Sequence, residues 1–228
     1  MRIIELTLPV SDVAGAAAYF RDVLQMAVED DRVSIGWSTI RLQEAGERPV
    51  GGVHLAFNVP DNRFTDAMAW LRARSPLQHD PEGKDYFALE SSWQSQSVYF
   101  TGPDGLILEL IGRRRLPASS RMGAFHGREI TCLSEVGLPC TSVDRTRADC
   151  ADLFHLRSLS TPSPAFAPMG DDEGLLILVD ARRPWFPEKK ELPRGNGLSV
   201  FIGDVPAGIA EADAVVRDVH QDWCVRTG

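Results

Sequence analysis

Glu5-Leu-Thr-Leu-Pro-Val-Ser-Asp12 and His54-Leu-Ala-Phe-Asn-Val-Pro-Asp61 share one pattern: a polar residue of ligand type, apolar residues at alternate positions, and a closing Asp. A third copy, Glu135-Val-Gly-Leu-Pro-Cys-Thr-Ser142, and a weaker fourth, Gly197-Leu-Ser-Val-Phe-Ile-Gly-Asp204, carry the repeat along the chain. Alternation at period two predicts a strand in each copy, with Leu6, Leu8 and Val10, or Leu55, Phe57 and Val59, on one face. A helix start follows the first three. Ser11 or Asp12 precedes Val13, Ala16, Phe20 and Leu24; Asp61 precedes Phe64, Met68 and Leu71; Ser142 precedes Val143, Thr146, Cys150 and Leu153.

Short strand candidates come next, at 33–36 and 39–43, at 87–90, 97–101 and 106–112, and at 166–169 and 175–180. Pro103-Asp104-Gly105 and Asp172-Glu173-Gly174 supply turn chemistry between them. The unit is therefore one strand, one helix and about three strands, repeated four times with the last copy cut short. The expected fold class is α+β: tandem βαβββ modules forming cupped mixed β-sheets with helices on the outer face. Residues 1–115 are expected to hold a paired set of modules with the functional cleft, 116–128 a linker, and 129–228 a degenerate third module plus a truncated fourth.

The 228 residues include 24 Lys+Arg against 32 Asp+Glu, a net charge of −8. Ample length for a core and ordinary apolar content exclude disordered and fibrous classes. Apolar runs such as Gly174-Leu-Leu-Ile-Leu-Val179 are strand-length, so no membrane span is expected. The acidic balance argues against a nucleic-acid partner, whose phosphates require clustered Lys and Arg. Arg113-Arg114-Arg115 reads as a solvated linker. The opening Met1-Arg2-Ile3-Ile4 has no signal core, so a cytoplasmic protein is expected. Cys132, Cys140, Cys150 and Cys224 form no C-x-x-C and read as core-filling thiols. His79, His126, His155 and His220 have no companions at ligand spacing, and no dinucleotide, P-loop or serine-nucleophile motif is present.

If Leu6, Leu8 and Val10 face the helix, Glu5 and Thr7 face the opposite side, as do His54, Ala56 and Asn58 in the second copy. Leu106-Ile-Leu-Glu-Leu-Ile-Gly112 places Glu109 inside an apolar run, where a lone carboxylate needs a partner or a metal. Glu5, His54 and Glu109 stand at related strand positions and compose an oxygen-rich site for a divalent cation, or else a hydrogen-bonded cluster without metal. Arg41, Gln43, Asn58, Tyr99 and Trp93 are candidate substrate contacts. Arg183-Pro-Trp-Phe-Pro187 reads as a rigid segment anchored by Trp185 and Phe186.

The strand-helix-three-strand repeat, His54 in Gly-Val-His-Leu-Ala-Phe, and Gly102-Pro-Asp-Gly-Leu-Ile-Leu-Glu109 resemble the vicinal oxygen chelate superfamily. Its members include glyoxalase I, extradiol dioxygenases, methylmalonyl-CoA epimerase, and fosfomycin and bleomycin resistance proteins. The similarity covers residues 1–113 well and 129–204 more loosely. It implies a cupped sheet around one divalent metal, Fe, Mn, Zn or Ni, held by Glu5, His54 and Glu109. Glu5 and Glu109 would also move protons, and the metal would act as a Lewis acid on a small substrate with vicinal oxygens, stabilising an enolate or oxyanion. A fourth ligand would fall at Arg41, which has no lone pair to offer; Gln43 is a weak substitute. Extradiol dioxygenases carry His where this chain has Glu5. In the second half Glu135 matches Glu5, but Gly197 and Leu178 take the places of His54 and Glu109, which implies a metal-free pair. A metal-free small-molecule binding protein or an extradiol ring-cleaving dioxygenase is the alternative, and the incomplete fourth unit allows a homodimer through a free sheet edge.

Overall fold

A computed structural model describes residues 1–204 and 213–227. The described residues form fourteen strands and three α-helices. The first module comprises β1 (Arg2–Val10), α1 (Val13–Ala18), β2 (Ala27–Glu29), β3 (Arg32–Ile35) and β4 (Ser38–Glu44). The second has β5 (His54–Val59), α2 (Phe64–Arg72), β6 (Phe87–Leu89), β7 (Ser95–Thr101) and β8 (Ile107–Arg113). The third has β9 (Cys132–Cys140), α3 (Val143–Phe154), β10 (Phe166–Asp171) and β11 (Gly174–Asp180), and the fourth contributes β12 (Leu198–Gly203), β13 (Val215–Asp218) and β14 (Trp223–Arg226).

Local rules account for the helix starts. The Asp12 carboxylate accepts from the Gly15 N–H and the Ser142 hydroxyl from the Arg145 N–H, each satisfying an orphan donor of the first turn. Asp61 does not cap: a short 3₁₀ turn, Asp61–Arg63, leads into α2, and the Asp61 carboxylate accepts from Gln96 instead. In α3 the buried stripe runs through Val143, Thr146, Cys150 and Phe154, while Leu153 is exposed.

Two mixed, seven-stranded sheets result, so the fold is α+β as expected, but the modules pair differently from the sequence reading. One sheet has the order β13-β14-β12-β1-β4-β3-β2 and the other β10-β11-β9-β5-β8-β7-β6. The first module is thus joined to the fourth through the antiparallel pair β1–β12, and the second to the third through β5–β9. Each module presents its first strand as an open edge, and buried polar contacts hold the second pairing. Thr131 donates from its backbone and its hydroxyl to the Asn58 carbonyl, and the Asn58 amide donates to Cys132 Sγ and the Asp172 carbonyl. β12 lies between β1 and β14, so 197–204 is not a free edge.

One apolar core serves both sheets. Leu6, Leu8, Leu55, Phe57, Leu108, Leu110, Val136 and Leu138 are all buried in it together with Phe20, Ala67, Leu71 and Phe154 from the helical segments. Burying each large side chain of this kind contributes about 1.5–3 kcal/mol. The sheets approach closely at Gly36, φ 54°, where a Cβ would stand 1.8 Å from the Thr131 carbonyl oxygen. The alternate residues of each strand, facing away from this core, are left to line the two clefts.

Candidate metal centre in the second sheet

β5, β8 and β9 lie side by side, with β5 in the middle. Ala56 pairs with Glu109 in the parallel β5–β8 ladder and with Glu135 in the antiparallel β5–β9 ladder. A β-bulge sets the second contact: two residues of β9, Ser134 and Glu135, occupy the space opposite one residue of β5, because Phe57 pairs with Leu133 and Leu55 with Val136. Bulges of this kind re-aim side chains, and here the carboxylate is turned onto the cleft face. The Ala56 methyl leaves room between the two glutamates.

His54, two residues before Ala56 and on the same face, reaches both. Its Nε2 is 3.4 Å from Glu109 Oε2 and 3.6 Å from Glu135 Oε2. One ligand atom from each of the three buried residues lies within 4.8 Å of the others. The other Glu135 oxygen accepts from Arg113 Nη2, and Arg113 is fully buried, 3.8 Å from Asp172 as well. Arg113 is therefore the last residue of a core strand and not a linker residue; Arg114 and Arg115 pair with Glu90 and Asp172.

Electrostatics follow from burial and crowding. Desolvation, reinforced by the Glu135 charge and opposed by His54, pushes the Glu109 carboxyl up to about 7. Burial alone would lower His54, but its close approach to Glu135 and the charges of both glutamates outweigh that and raise it. Tyr99 is raised well above its ordinary value by burial and by the same carboxylates.

Above the triad lies a cavity of about 140 Å³, lined among others by Trp93, Tyr99, Phe166, Ile177, Trp185 and Phe186. Trp93 on the β6–β7 turn and Phe166 on β10 are 6.3 Å apart, so the two edges of the sheet curl together at the rim. The segment after β11 closes the mouth. The Trp185 ring sits 5.2 Å from the His54 ring, and its Nε1 donates to the Gly52 carbonyl at 2.8 Å. Phe186 packs on Phe87 and Tyr99.

Several expected site residues lie elsewhere. Glu5 is on β1 in the other sheet, paired with Arg32 at 3.1 Å, so the structure does not bring it to His54 and Glu109. Arg41 and Gln43 are exposed on β4 of that same sheet, Arg41 beside Asp31. Asn58 is on the cleft-facing side of β5, but its amide is committed to Cys132 and Asp172, and it does not line the cavity. Trp93 and Tyr99 do line it. Glu135, which belongs to the half expected to be metal-free, completes the cluster; its sequence signal was its match to Glu5, but the pairing of modules decided which of the two mattered. The site equivalent to Glu109 in the third module is Ile177, not Leu178. His54 pairs with Ile107, two before Glu109, and Glu135 pairs with Leu175, two before Ile177, while Leu178 faces the core.

The donor set suits a divalent cation: one imidazole nitrogen and two carboxylate oxygens converge on a cleft that leaves further directions open. The apolar Ile177 takes the place where a fourth protein ligand would stand.

No protein-family model matches the chain. Over 115 residues it is 30% identical to metallothiol transferase FosB of Staphylococcus epidermidis, covering 46% of this chain and 78% of that protein, and the same figures hold for FosB of Staphylococcus haemolyticus. Among solved structures, a putative dioxygenase from Bacillus subtilis subsp. subtilis str. 168 superposes with a TM-score of 0.61 at 16% identity, covering 100% of this chain and 85% of that one. Glyoxalase I from Zea mays gives 0.53 at 15% identity, with 88% and 74% covered. At such identities the structural likeness concerns the fold. The sequence relationship to FosB, on a scaffold of cupped βαβββ modules, shows that the chain belongs to the vicinal oxygen chelate superfamily.

Proposed function

We propose that the cleft of the second sheet is the active site of a divalent-metal-dependent enzyme acting on a small substrate with vicinal oxygens, and that the ligands are His54, Glu109 and Glu135. The carrying observation is the convergence of three ligand atoms, from three strands of two modules, within 4.8 Å at the floor of a walled cavity. When bound, the metal supplies Lewis-acid stabilisation of charge developing on the substrate oxygens.

The chain's own residues have separable tasks. Arg113 holds Glu135 by one oxygen and leaves the other facing His54. Trp185 and Phe186 cover the cavity and exclude water, which strengthens every charge interaction inside. Without metal, burial pushes the Glu109 carboxyl up to about 7, so it gives and takes a proton near neutral pH, which suits it to exchange one with a substrate atom above it. The same oxygen set is consistent with the transferase, lyase and dioxygenase chemistries of the superfamily, and the fold does not choose among them.

One observation favours a second reading, a metal-free small-molecule binding protein: Arg113 already compensates one of the two carboxylates. Elemental analysis of untagged protein, followed by calorimetric titration of the apo form with Mn²⁺, Fe²⁺, Zn²⁺ and Ni²⁺, separates the two. The metal reading expects one equivalent bound by the wild type and none by His54→Ala. Unchanged stoichiometry in His54→Ala, or no uptake by the wild type, would overturn it.

A further inference from the structure

The cavity's shape, lining and one unpaired cation define a ligand class more narrowly than the metal cluster does. Its volume of about 140 Å³ is close to the roughly 150 Å³ of an apolar protein cavity that takes up benzene. Six rings line it, beside the aliphatic Leu89, Ile111 and Ile177 and the hydroxyls of Ser95 and Ser97. Trp93 and Phe166 stand together at the rim, and the Tyr99 and Trp185 rings lie 6.1 and 5.2 Å from the His54 ring, with Phe186 packed on Tyr99 at 5.3 Å. Such walls offer faces and edges on which a flat ring packs.

The lining also holds Arg183, at the mouth. Its guanidinium lies 5.0 Å from the centroid of the Phe166 ring, so the side chain is oriented. The nearest acid in sequence, Asp180, is taken by Arg182 through both carboxylate oxygens, at 3.0 and 2.7 Å. No carboxylate among the described residues pairs with Arg183. Partial desolvation by the rim lowers its pKa without any acid to offset it, though a guanidinium remains charged. The floor, in contrast, carries two carboxylates. The floor carboxylates have Arg113 and His54 beside them, whereas the Arg183 guanidinium at the mouth faces no acid among the described residues, so the cation left to meet a ligand's charge is at the mouth.

We propose that the ligand is a single aromatic ring bearing an anionic group, with the ring between the aromatic walls, its oxygen-bearing edge toward His54, Glu109 and Glu135, and its anionic group on Arg183. Arg183 is accordingly a specificity-determining residue. The orientation of the oxygen edge rests on the metal reading above; the preference for an anionic ring does not.

The test measures the affinities of 3,4-dihydroxybenzoate, catechol and dopamine, which share one ring and differ in charge at the far end, by quenching of the cavity tryptophans or by calorimetry. It is run on full-length protein, once with chelator and once loaded with Mn²⁺, and repeated with Arg183→Gln and with cyclohexanecarboxylate as a non-aromatic anion. The expected order is 3,4-dihydroxybenzoate tightest, by about tenfold over catechol, the scale of one charge-assisted hydrogen bond at an open rim. Dopamine and cyclohexanecarboxylate should bind more weakly still. Arg183→Gln should erase the charge preference while leaving catechol affinity unchanged. Equal binding of the three rings, or a preference that survives in Arg183→Gln, overturns the proposal. An anion preference in the chelated protein together with no metal uptake supports this inference and defeats the metal reading; uptake abolished by His54→Ala together with no charge preference does the reverse.

Discussion

Glu135 Oε2 stands 3.6 Å from His54 Nε2 across a junction between two modules, and the side chain of Ala56 is what lies between the two glutamates that share this histidine. Ala56 is buried and its register partners on both neighbouring strands are the two glutamates. Ala56→Leu should therefore fill the floor of the cleft. Overpacking of this kind costs about 1–3 kcal/mol, so the variant should remain folded, as judged by circular dichroism, while metal uptake falls at least about tenfold, the lower end of what disturbed metal surroundings cost. Undiminished uptake would show that the metal is held elsewhere.

The pH dependence of stability has a definite sign. Glu109 titrates near 4.5 when exposed and near 7 when folded, so between those values the unfolded chain binds fewer protons than the native one. Stability then falls as pH rises, beginning near 4.5 and ending above 7. His54 acts in the same direction: its raised folded value gives a contribution present below 6.5 and lost as pH climbs through the folded pKa. Glu109→Gln keeps the neutral shape and lacks the first contribution. In chelator, urea unfolding should show wild type losing stability relative to Glu109→Gln across that window. Parallel curves would show that Glu109 ionises normally in the fold.

Most of the strands, though not β2, β13 or β14, the helix starts at Asp12 and Ser142, and the chemistry of His54 and Glu109 were legible because each is a local matter. A charged residue in an apolar strand, or a period-two alternation, is visible within a few residues. Module pairing is not local. β1, β5, β9 and β12 carry similar alternation and each leaves an open edge, so nothing in one strand says which edge it meets. That one decision moved Glu5 out of the site and Glu135 into it. The bulge at Ser134 and the burial of Arg113 depend on the same pairing, since Arg113 is tolerated in the core only where Glu135 reaches it. Read from sequence alone, Arg113 is the first of three arginines before a Pro-containing connection and looks like the other two.

Gly137, on β9, faces the Trp185 ring. An added Cβ would meet that ring at 2.5 and 2.6 Å and the His54 Cβ at 3.1 Å. Gly137→Ala must displace the indole from its hydrogen bond to the Gly52 carbonyl, because the strand backbone on the other side is fixed by its ladder. The expected outcome is a loss of about 1–3 kcal/mol with a red-shifted, more quenchable tryptophan emission as the cover lifts. Unchanged emission and quenching would mean that the ring adjusts in place. Trp185→Phe, which keeps the ring but removes the donor, should cost about 1 kcal/mol with a smaller change in access.

Glu5 and Glu135 occupy matching places in their modules, and substituting each by Gln distinguishes an exposed ion pair from a buried one. Glu5 meets Arg32 at a half-open surface, and such pairs contribute about 0–1 kcal/mol. Glu135 meets Arg113, whose guanidinium has no exposed surface and whose other acidic neighbour among the described residues is Asp172 at 3.8 Å. Removing the Glu135 charge leaves a buried cation largely uncompensated, which costs about 3–5 kcal/mol. Urea unfolding should therefore show Glu135→Gln strongly destabilised and Glu5→Gln near wild type. The double variant Glu135→Gln/Arg113→Met should recover most of the loss, because it removes the stranded charge along with its partner. Recovery would assign the effect to the pair and not to a misplaced strand. Equal, small effects of Glu5→Gln and Glu135→Gln would instead mean that Arg113 reaches solvent or another acid, and the second sheet's claim to a built, charge-compensated site would fall with it.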